Sequence, residues 1–360
     1  MERKIRVAFI GLAHIHFTTL YNDFIKYPDK FEFVEMADYP PFTEEELQTR
    51  LKMNVPESCK IKLWDDYKEL LKQNIDVAVI CTDVKDHADI SEETLGMGIH
   101  TLVEKPMAMS IDDAKRMYRA YKKSTAELII NWPVAWMPAF RRVKQLVDEG
   151  VVGKVFRVHY RNPATMGPYK LNEYTPNELS KLWWYKSDRG GGSICDYASY
   201  GCTLISWITG KTAKRVSGFK KNFLLPFSDV EDYSTFTIDY GDCIGIVEGT
   251  WCTLNSGEIP TGPVVYGEKG TLVSDRYDME VKLYEEVKPY TSDVQASEIY
   301  NIEPFDDCIA LSIINFISKG EPLFEMITAD FNIKVMPEFD AGIRSCKSGA
   351  VENTIDPFEV

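Results

Sequence analysis

The sequence predicts an α/β protein of two domains, a doubly wound parallel sheet followed by an α+β domain with a mostly antiparallel, open sheet. Three observations predict this architecture. The first 130 residues alternate short apolar runs with amphipathic stretches, which is typical of βαβ units. After Gly153 apolar and polar residues alternate along successive short segments, as in antiparallel strands. With 360 residues, the chain is also longer than the chains that usually fold around a single compact core.

The first domain is predicted to span residues 1–130. Apolar runs predict its strands at 5–10, 31–37, 77–81, 100–103 and 127–131. Amphipathic stretches between them predict helices near 16–26, 43–52, 66–73, 87–97 and 111–123. Ser110 is placed to cap the last helix, which has Asp112 and Asp113 in its first turn.

The second domain is predicted to span residues 131–360. Alternating patterns predict strands at 154–161, 214–221, 232–240, 243–252, 262–267 and 270–275. Helices are expected near 138–149, 193–208, 305–318 and 339–348. The segment 162–183 is rich in Pro, Asn, Tyr and Glu, which predicts a long loop of the kind that often forms a lid or a binding loop.

Composition excludes several classes of function. The formal net charge is −14, so nucleic acid and anionic membranes are poor partners.

The eight cysteines form no C-x-x-C pair and have no histidine at zinc-ligand spacing, so they are expected to be reduced thiols. No secretion signal and no apolar run long enough to cross a bilayer is recognised, so a cytoplasmic location is expected. Because no trio of carboxylates accompanies the pair His14 and His16, no metal is predicted.

The first strand is followed by a turn typical of dinucleotide-binding folds. Gly11 occupies the first glycine position of this turn, where the chain must bend tightly. Ala13 stands at the second position and His16 at the third, so the motif is degenerate. An ordinary strand-to-helix turn remains the alternative on this motif alone. Leu12, Ala13 and His14 are the candidate contacts to a pyrophosphate.

Asp38 ends the second strand, 27 positions after Gly11. A carboxylate at this place accepts hydrogen bonds from both hydroxyls of an adenosine ribose and repels a 2′-phosphate. The residue therefore favours NAD over NADP. A strand-end aspartate that caps a turn is the alternative interpretation.

Five segments resemble, in their order and spacing, the Gfo/Idh/MocA oxidoreductases over nearly the whole chain. They are 79–83 followed by His87, 98–106 with Glu104-Lys105-Pro106, 148–155, 190–196 and 344–349. The resemblance implies a Rossmann domain and an α/β domain whose open sheet serves in homo-oligomer contacts. It also implies NAD(P) and a sugar, polyol or related hydroxy substrate. The cofactor contacts it implies are Thr82, His87, Glu104 and Lys105.

Lys105 matches the family lysine beside the nicotinamide, and Pro106 the proline that often forms a cis bond in relatives. An ammonium here stabilises the alkoxide that develops as a hydride leaves a carbinol carbon. The ordinary alternative for a strand-end lysine is a solvated surface charge.

The expected acid–base position departs from the family. Family members commonly carry Asp-x-x-x-His, whereas this chain has Asp196 and Tyr200, four apart on a predicted helix and so on one face. Gly190–Gly192 leads into that helix and is expected to leave room for a ligand. A phenol is a poor base unless a cation such as Lys105 lowers its pKa. Tyr200 is therefore expected to relay a proton or hold a hydroxyl; Lys105 or Asp196 as base, and a merely packing tyrosine, are the alternatives.

Aromatic residues are the remaining substrate candidates, because indole faces pack on the C–H bonds of sugars. Trp132, Tyr160 and Trp184 are predicted to bind substrate with Asp196 and Tyr200, although each aromatic alone is more often part of a core. The sequence thus predicts an NAD-dependent dehydrogenase of a sugar, polyol or glycoside. An NAD-retaining glycoside lyase or glycosidase that oxidises its substrate transiently, and a non-catalytic NAD-binding regulator, are the alternatives.

Overall fold

The computed structural model describes residues 3–39, 43–163, 167–168, 173–253, 259–285 and 294–358, apart from the side chain of Val34. The chain divides into two compact units. The first contains 1–132, 177–191 and 307–333, and the second contains 133–176, 192–306 and 334–360. The sequence assigned everything after residue 130 to the second domain, whereas 177–191 and 307–333 return to the first unit.

A six-stranded parallel sheet forms the first unit, in the order β3-β2-β1-β4-β5-β6 that is typical of a Rossmann fold. Its strands are β1 (Ile5–Ile10), β2 (Phe31–Ala37), β3 (Leu63–Trp64), β4 (Val77–Ile80), β5 (His100–Glu104) and β6 (Leu128–Asn131). Of these, only the two-residue β3 was not predicted. The expected doubly wound fold is confirmed.

The helices between these strands follow the predicted amphipathic stretches closely. They are α1 (Phe17–Ile25), α2 (Glu44–Asn54), α3 (Tyr67–Leu71), α4 (His87–Gly96) and α5 (Ile111–Lys123). Helix α1 packs on the sheet through aromatic rings, since the centroids of Phe17 and Phe24 lie 4.8 and 6.2 Å from that of Phe9. Ser110 caps α5 as predicted, its Oγ accepting the Asp113 N–H at 3.2 Å.

The described part of the remaining chain contains five further α-helices: α6 (Pro138–Asp148), α7 (Pro176–Leu179), α8 (Ser199–Thr209), α9 (Ile309–Lys319) and α10 (Ala329–Ser348). The sequence predicted the last of them near 339–348. That boundary is wrong, since α10 begins ten residues earlier and contains Pro337. No described helix combines the length and apolar character needed to cross a membrane.

A nine-stranded mixed sheet dominates the second unit, in the order β14-β13-β12-β11-β7-β10-β9-β8-β15. Its strands are β7 (Val155–Pro163), β8 (Arg215–Lys221), β9 (Tyr233–Asp239), β10 (Ile244–Thr250), β11 (Val264–Gly267), β12 (Gly270–Ser274), β13 (Glu280–Tyr284), β14 (Glu298–Asn301) and β15 (Glu352–Asn353). All neighbours are antiparallel except β7 and β10, which confirms a mostly antiparallel sheet. Strands β13 to β15 were not predicted.

The predicted helix at 193–208 is not a regular α-helix throughout. Its first turn, Ile194–Ala198, is π-helical, and α8 follows it. Gly249 of β10 admits this turn, because a Cβ there would lie 2.7 Å from the backbone nitrogen of Ala198. Gly201 of α8 admits the next turn in the same way, since a Cβ would lie 2.4 Å from Val247. π-Helical turns of this kind are frequent at functional sites.

The expected long loop at 162–183 lies partly outside the described residues. Within the described part, β7 continues to Pro163 and the short α7 interrupts the segment.

Candidate functional site

The carboxyl edge of the parallel sheet gathers the candidate residues of the first unit. Gly11 follows β1, Asp38 follows β2, Thr82 follows β4, and Lys105 follows β5. Because parallel strands end at the same edge, four residues that are distant in sequence share one side of the sheet. This is the edge at which doubly wound folds bind their ligands.

The turn after β1 has no space for a side chain at its first position. Gly11 has a φ of +83°, and a Cβ there would lie 2.3 Å from Thr82 Cγ2. The N–H groups of Ala13 and His14 donate to the carbonyl of Cys81 at 3.0 and 3.2 Å, which ties the turn to β4. The tight bend that the sequence assigned to Gly11 is therefore present.

The carboxylate of Asp38 is held on one side and unpartnered on the other. Its Oδ1 accepts the N–H groups of Leu12 at 2.9 Å and Tyr39 at 3.0 Å. Its Oδ2 is buried and has no hydrogen-bond partner among the described residues. Burial raises the pKa of Asp38, while the Arg50 guanidinium and the two N–H groups act to lower it. A ribose hydroxyl would supply the donor that Oδ2 lacks.

Arg50 and Arg189 form a buried ion network that the sequence did not reveal. Arg50 lies 3.6 Å from both Asp38 Oδ1 and Asp83 Oδ1. Arg189 pairs with Asp83 through Nε and with Asp86 at 3.7 Å. Burial raises the pKa of Asp83 to about 6 although both guanidinium groups oppose this shift. The network places a cation, Arg50, beside the carboxylate that is expected to hold the ribose.

Lys105 is buried, with 1% of its surface exposed, and so is not the solvated surface charge of the alternative interpretation. Its Nζ lies 5.7 Å from the ring centroid of Trp184, within the range of a cation–π contact. The Lys105–Pro106 peptide is cis. The preceding Glu104 is also buried, and its Oε1 accepts the amide of Asn131 at 2.6 Å.

Two buried imidazoles lie in the same part of the unit. Burial, then the neighbouring His16, Lys105 and His87, lowers the pKa of His14 well below its usual value. Burial lowers the pKa of His87 to about 4, although Glu104 opposes the shift. Both rings are therefore neutral at pH 7, and the Nε2 of each is buried with no hydrogen-bond partner among the described residues. Each Nε2 can accept or donate one hydrogen bond to a ligand.

His14, His16 and Glu104 lie close enough to hold a metal ion, with one ligand atom from each within 4.8 Å of the others. His16 Nδ1 lies 3.0 Å from Glu104 Oε2, and His14 Nδ1 lies 3.8 Å from the same oxygen. The sequence predicted no metal because no trio of carboxylates accompanies the two histidines; β5 brings one carboxylate, Glu104, to them. Lys105, whose charge acts on His14, repels a metal cation at this place.

Trp184 packs in the first unit beside the cofactor candidates. It stacks on Trp183 with 4.0 Å between ring centroids, and its ring lies 4.7 Å from that of His14. Trp183 Nε1 donates to the carbonyl of Ala13 at 2.9 Å, which fixes the pair against the turn after β1. Trp132, the other predicted tryptophan, is buried and donates its indole N–H to Asn332 in α10 at 2.7 Å.

The glycines at 190–192 do not leave room for a ligand, so that expectation is wrong. A Cβ on Gly190 would lie 2.7 Å from Val84, and one on Gly191 would lie 2.4 Å from the carbonyl oxygen of Trp184. A Cβ on Gly192 would lie 2.3 Å from Glu231 Oε1. The protein itself fills the space beside all three residues.

In the second unit the ends of three strands meet at one edge. Strands β7, β10 and β12 run in the same direction, because β11 is antiparallel to both β7 and β12 while β10 is parallel to β7. Asn162 lies at the end of β7, Trp251 follows β10, and Arg276 follows β12. Arg276 Nη2 donates to Tyr160 OH at 2.6 Å and to Asn162 Oδ1 at 2.7 Å.

Asp196 and Tyr200 belong to this second cluster. Trp251 Nε1 donates to Asp196 Oδ2 at 3.0 Å, and Arg276 lies over the Tyr200 ring with its Cζ 5.9 Å from the centroid. Asp196 and Tyr200 are each 6% exposed. Burial and the Asp196 carboxylate raise the pKa of the neighbouring Tyr197, so that phenol is protonated at pH 7. The cluster thus brings together three predicted residues, Tyr160, Asp196 and Tyr200, with Arg276 and Trp251, which were not predicted.

Comparison with known protein families divides the chain in nearly the same place as the two structural units. A family model described as "Oxidoreductase family, NAD-binding Rossmann fold" matches residues 5–131, and the model of the GFO/IDH/MocA C-terminal domain matches 140–273. A 1-carboxy-3-chloro-3,4-dihydroxycyclohexa-1,5-diene dehydrogenase of Comamonas testosteroni is 27% identical over 206 residues, covering 57% of this chain and 50% of its own. The Thermotoga maritima myo-inositol 2-dehydrogenase is 24% identical over 163 residues, covering 44% and 46% respectively.

The chain spans about half the length of the curated relatives it matches. Among solved structures, the WlbA dehydrogenase of Bordetella pertussis, in complex with NADH and UDP-GlcNAcA, superposes with a TM-score of 0.73 at 20% identity. The match covers 98% of this chain and 99% of that one, and at this identity it shows a shared fold.

Proposed function

Since the chain belongs to the Gfo/Idh/MocA family of oxidoreductases, we propose that it transfers a hydride between NAD and a hydroxyl-bearing carbon of a sugar, polyol or glycoside. The residues proposed to act on the substrate are Lys105, Asp196 and Tyr200. The substrate contacts are proposed to include Trp132, Tyr160 and Trp184. The first unit is the proposed cofactor domain, and the second is the proposed substrate and oligomerisation domain.

The observation that carries the proposal is the burial of Lys105 at the carboxyl end of β5. Removing an ammonium from water costs several kcal/mol, so a lysine is rarely buried without a role for its charge. An alcohol that loses a hydride must also lose its hydroxyl proton, and a nearby ammonium stabilises the alkoxide that develops. In the reverse direction the same ammonium polarises a carbonyl. Trp184 lies against Lys105 and limits the access of water to it.

The first unit fits NAD at three places. The turn after β1 fits at its first position, where the packing against Thr82 leaves space only for glycine and holds the tight bend that a pyrophosphate-binding turn requires. Asp38 Oδ2, which has no partner among the described residues, can accept a hydrogen bond from a ribose hydroxyl. The unpartnered Nε2 atoms of His14 and His87 are available to polar groups of the cofactor. Bound NAD supplies the hydride acceptor, and in the reverse direction NADH supplies the donor.

The preference for NAD rests on Asp38, since a carboxylate repels a 2′-phosphate. Arg50 weakens this repulsion because its guanidinium lies 3.6 Å from Asp38 Oδ1. The two residues together are therefore proposed to give a moderate preference for NAD rather than a complete exclusion of NADP.

The proton has two candidate carriers in the second unit. Tyr200 lies under Arg276, and a guanidinium so placed favours the phenolate form of a tyrosine. Asp196 is oriented by the indole N–H of Trp251. Tyr200 is the proposed carrier, with Asp196 as the group that orients it; Lys105 as the base is the remaining alternative.

Assembly and location are proposed on separate grounds. Side chains on the face of the sheet opposite α8 include exposed apolar residues such as Phe219 in β8, which is 68% exposed, so this face is proposed to pair with a second copy. The eight cysteines are free thiols, as expected in the reducing cytoplasm. Light scattering of the wild type and of Phe219→Glu tests the first proposal, because disruption of a dimer by the variant would support it.

A substrate screen tests the proposed function. Purified protein is incubated with NAD or NADP and a set of sugars, polyols and glycosides, and NADH absorbance is followed. Steady formation of NADH with at least one compound supports a dehydrogenase. Cleavage of a glycoside without any net change in free NADH would instead indicate the NAD-retaining lyase or glycosidase. Binding of NAD with neither outcome across the screen would contradict the proposal.

A further inference from the structure

Arg276 is a partly buried cation of the second unit whose partners are neutral. Its Nη2 donates to the Tyr160 hydroxyl at 2.6 Å and to the Asn162 amide oxygen at 2.7 Å. Its Nε is shielded from solvent and has no hydrogen-bond partner among the described residues. No carboxylate of the described part of the chain lies within ion-pair distance of its guanidinium.

This arrangement is unusual because a shielded charge normally has a counter-ion. Two other arginines of the unit have a carboxylate partner: Arg161 lies 3.3 Å from Glu248, and Arg215 lies 2.8 Å from Asp239. Leaving a desolvated guanidinium without an anion costs free energy, and such a cost is retained where a ligand supplies the charge. Nη1 of Arg276 donates to no described residue, and a guanidinium N–H group of this kind can donate to a carboxylate.

The position of Arg276 connects it with the proposed chemistry. It lies at the strand edge that also holds Asn162 and Trp251, and its guanidinium covers the ring of Tyr200. A substrate group bound to Arg276 would therefore lie beside the residues proposed to handle the proton. Because Arg276 supplies the one guanidinium found in contact with this cluster among the described residues, the cluster suits a singly charged group rather than a phosphate dianion.

We propose that Arg276 binds a carboxylate of the substrate, so that the chain acts on an acidic sugar or polyol such as a uronate rather than on a neutral one. This inference rests on the proposed hydride transfer for its turnover test, but not for its binding test. Tyr160 and Asn162 act as positioning residues, because their oxygen atoms accept from Nη2 and hold the guanidinium so that Nη1, which donates to no described residue, is available to the ligand.

Matched pairs of sugars test the inference. The measurement compares kcat/KM with NAD for D-glucuronate against D-glucose and for D-galacturonate against D-galactose. The wild type is expected to prefer at least one uronate over its neutral partner. Arg276→Met is expected to lower kcat/KM for that uronate at least about tenfold more than kcat/KM for its neutral partner. Some loss on the neutral sugar is expected as well, because Arg276 favours the phenolate form of Tyr200. Arg215→Met, which removes an exposed arginine of the same unit, is expected to leave both values unchanged.

Two outcomes would overturn the inference. One is a wild type that prefers neutral sugars in both pairs. The other is an Arg276→Met variant that loses activity by the same factor on acidic and neutral substrates, which would show that Arg276 acts only through the fold or through Tyr200. If the methionine variant does not fold, Arg276→Lys serves in its place, because it keeps the charge but loses the planar fork and should still lower uronate turnover selectively.

Calorimetric binding separates this inference from the proposed function. If none of the four sugars yields NADH, the hydride transfer fails for them, but D-glucuronate and D-galacturonate can still be titrated into the protein. Tighter binding of a uronate than of its neutral partner, lost in the Arg276 variant, supports the inference. Equal binding, or none, overturns it.

Discussion

Arg50 Nη1 lies 3.6 Å from Asp38 Oδ1, whereas the other oxygen of the same carboxylate, Oδ2, is buried and unpartnered among the described residues. One oxygen is thus occupied by protein groups, and the second can accept a hydroxyl. This asymmetry is what the proposed contact with a ribose requires, since the carboxylate is held in place and still offers one acceptor oxygen.

Replacing Asp38 by serine should reduce the preference of the protein for NAD over NADP. The variant loses the acceptor for the ribose hydroxyls and the charge that repels a 2′-phosphate, so NAD should bind more weakly and NADP more tightly. Arg50 would then face a 2′-phosphate without a competing carboxylate. Quenching of tryptophan fluorescence during titration with each cofactor measures both affinities. A wild type that binds NADP more tightly than NAD would show that Asp38 does not select the cofactor.

Replacing Tyr200 by phenylalanine removes one hydroxyl and keeps the ring under Arg276. If that hydroxyl moves the proton, turnover should fall by about a hundredfold or more while thermal stability changes little, and the pH–rate profile should lose or shift one limb. Tyr200→His should keep partial activity with an apparent pKa nearer that of imidazole. Asp196→Asn should also lower turnover. Unchanged turnover and an unchanged pH profile in Tyr200→Phe would assign the tyrosine to packing and leave the proton to Lys105.

Glu338 should make the stability of the second unit depend on pH. Burial raises its pKa to about 8, although hydrogen bonds from Tyr240 and Ser206 oppose the shift. The folded state therefore prefers the protonated acid, and this stabilisation is complete below the unfolded pKa near 4.5 and is lost as the pH rises through 8.

Glu338→Gln mimics the protonated acid and serves as the test. Relative to this variant, the wild type should lose on the order of a few kcal/mol of unfolding free energy between pH 5 and pH 8. Thermal unfolding at a series of pH values measures the difference. Glu321→Gln, at an exposed position, is the control and should follow the wild type. A difference between wild type and Glu338→Gln that stays constant with pH would refute the assignment.

Gly249→Ala should destabilise the π-helical turn that carries Asp196. The added Cβ would lie 2.7 Å from the Ala198 nitrogen and 2.9 Å from the Ser193 oxygen, and these backbone atoms cannot turn aside. Overpacking of this kind costs about 1–3 kcal/mol. Gly96→Ala, where a Cβ would meet no atom within 4 Å, is the matched control and should be neutral or stabilising. Equal melting temperatures for the two variants would contradict the close packing of β10 against this turn.

The parts of the site that the sequence predicted are those that depend on strand ends. Gly11, Asp38 and Lys105 each follow a strongly apolar run, and parallel strands necessarily end at one edge. Local pattern was therefore sufficient for these three residues. Arg50 was not predicted, because its partners Asp38 and Asp83 become neighbours only through the order of the sheet.

Topology also explains what was missed in the second unit. Arg276 follows a predicted strand directly, but its relation to Tyr160 depends on the intervening β11, which makes β12 run in the direction of β7. The sequence did not predict the π-helical turn at Ile194–Ala198. Hydrogen bonds that span four or five residues give the same pattern of apolar residues in a segment of this length. The glycines at 190–192 were expected to leave room for a ligand. The sequence could not show that Val84 and Glu231 occupy the space beside Gly190 and Gly192.

The central claim is that Lys105 takes part in hydride transfer, and turnover of Lys105→Met tests it most directly. Methionine keeps most of the buried chain length and removes the ammonium, so the fold and the affinity for NAD should be nearly retained. On a substrate found by the screen, the rate of NADH formation should fall by at least about a hundredfold. Cofactor titration of the same preparation is the control for folding. A variant that binds NAD and turns over at close to the wild-type rate would contradict the account.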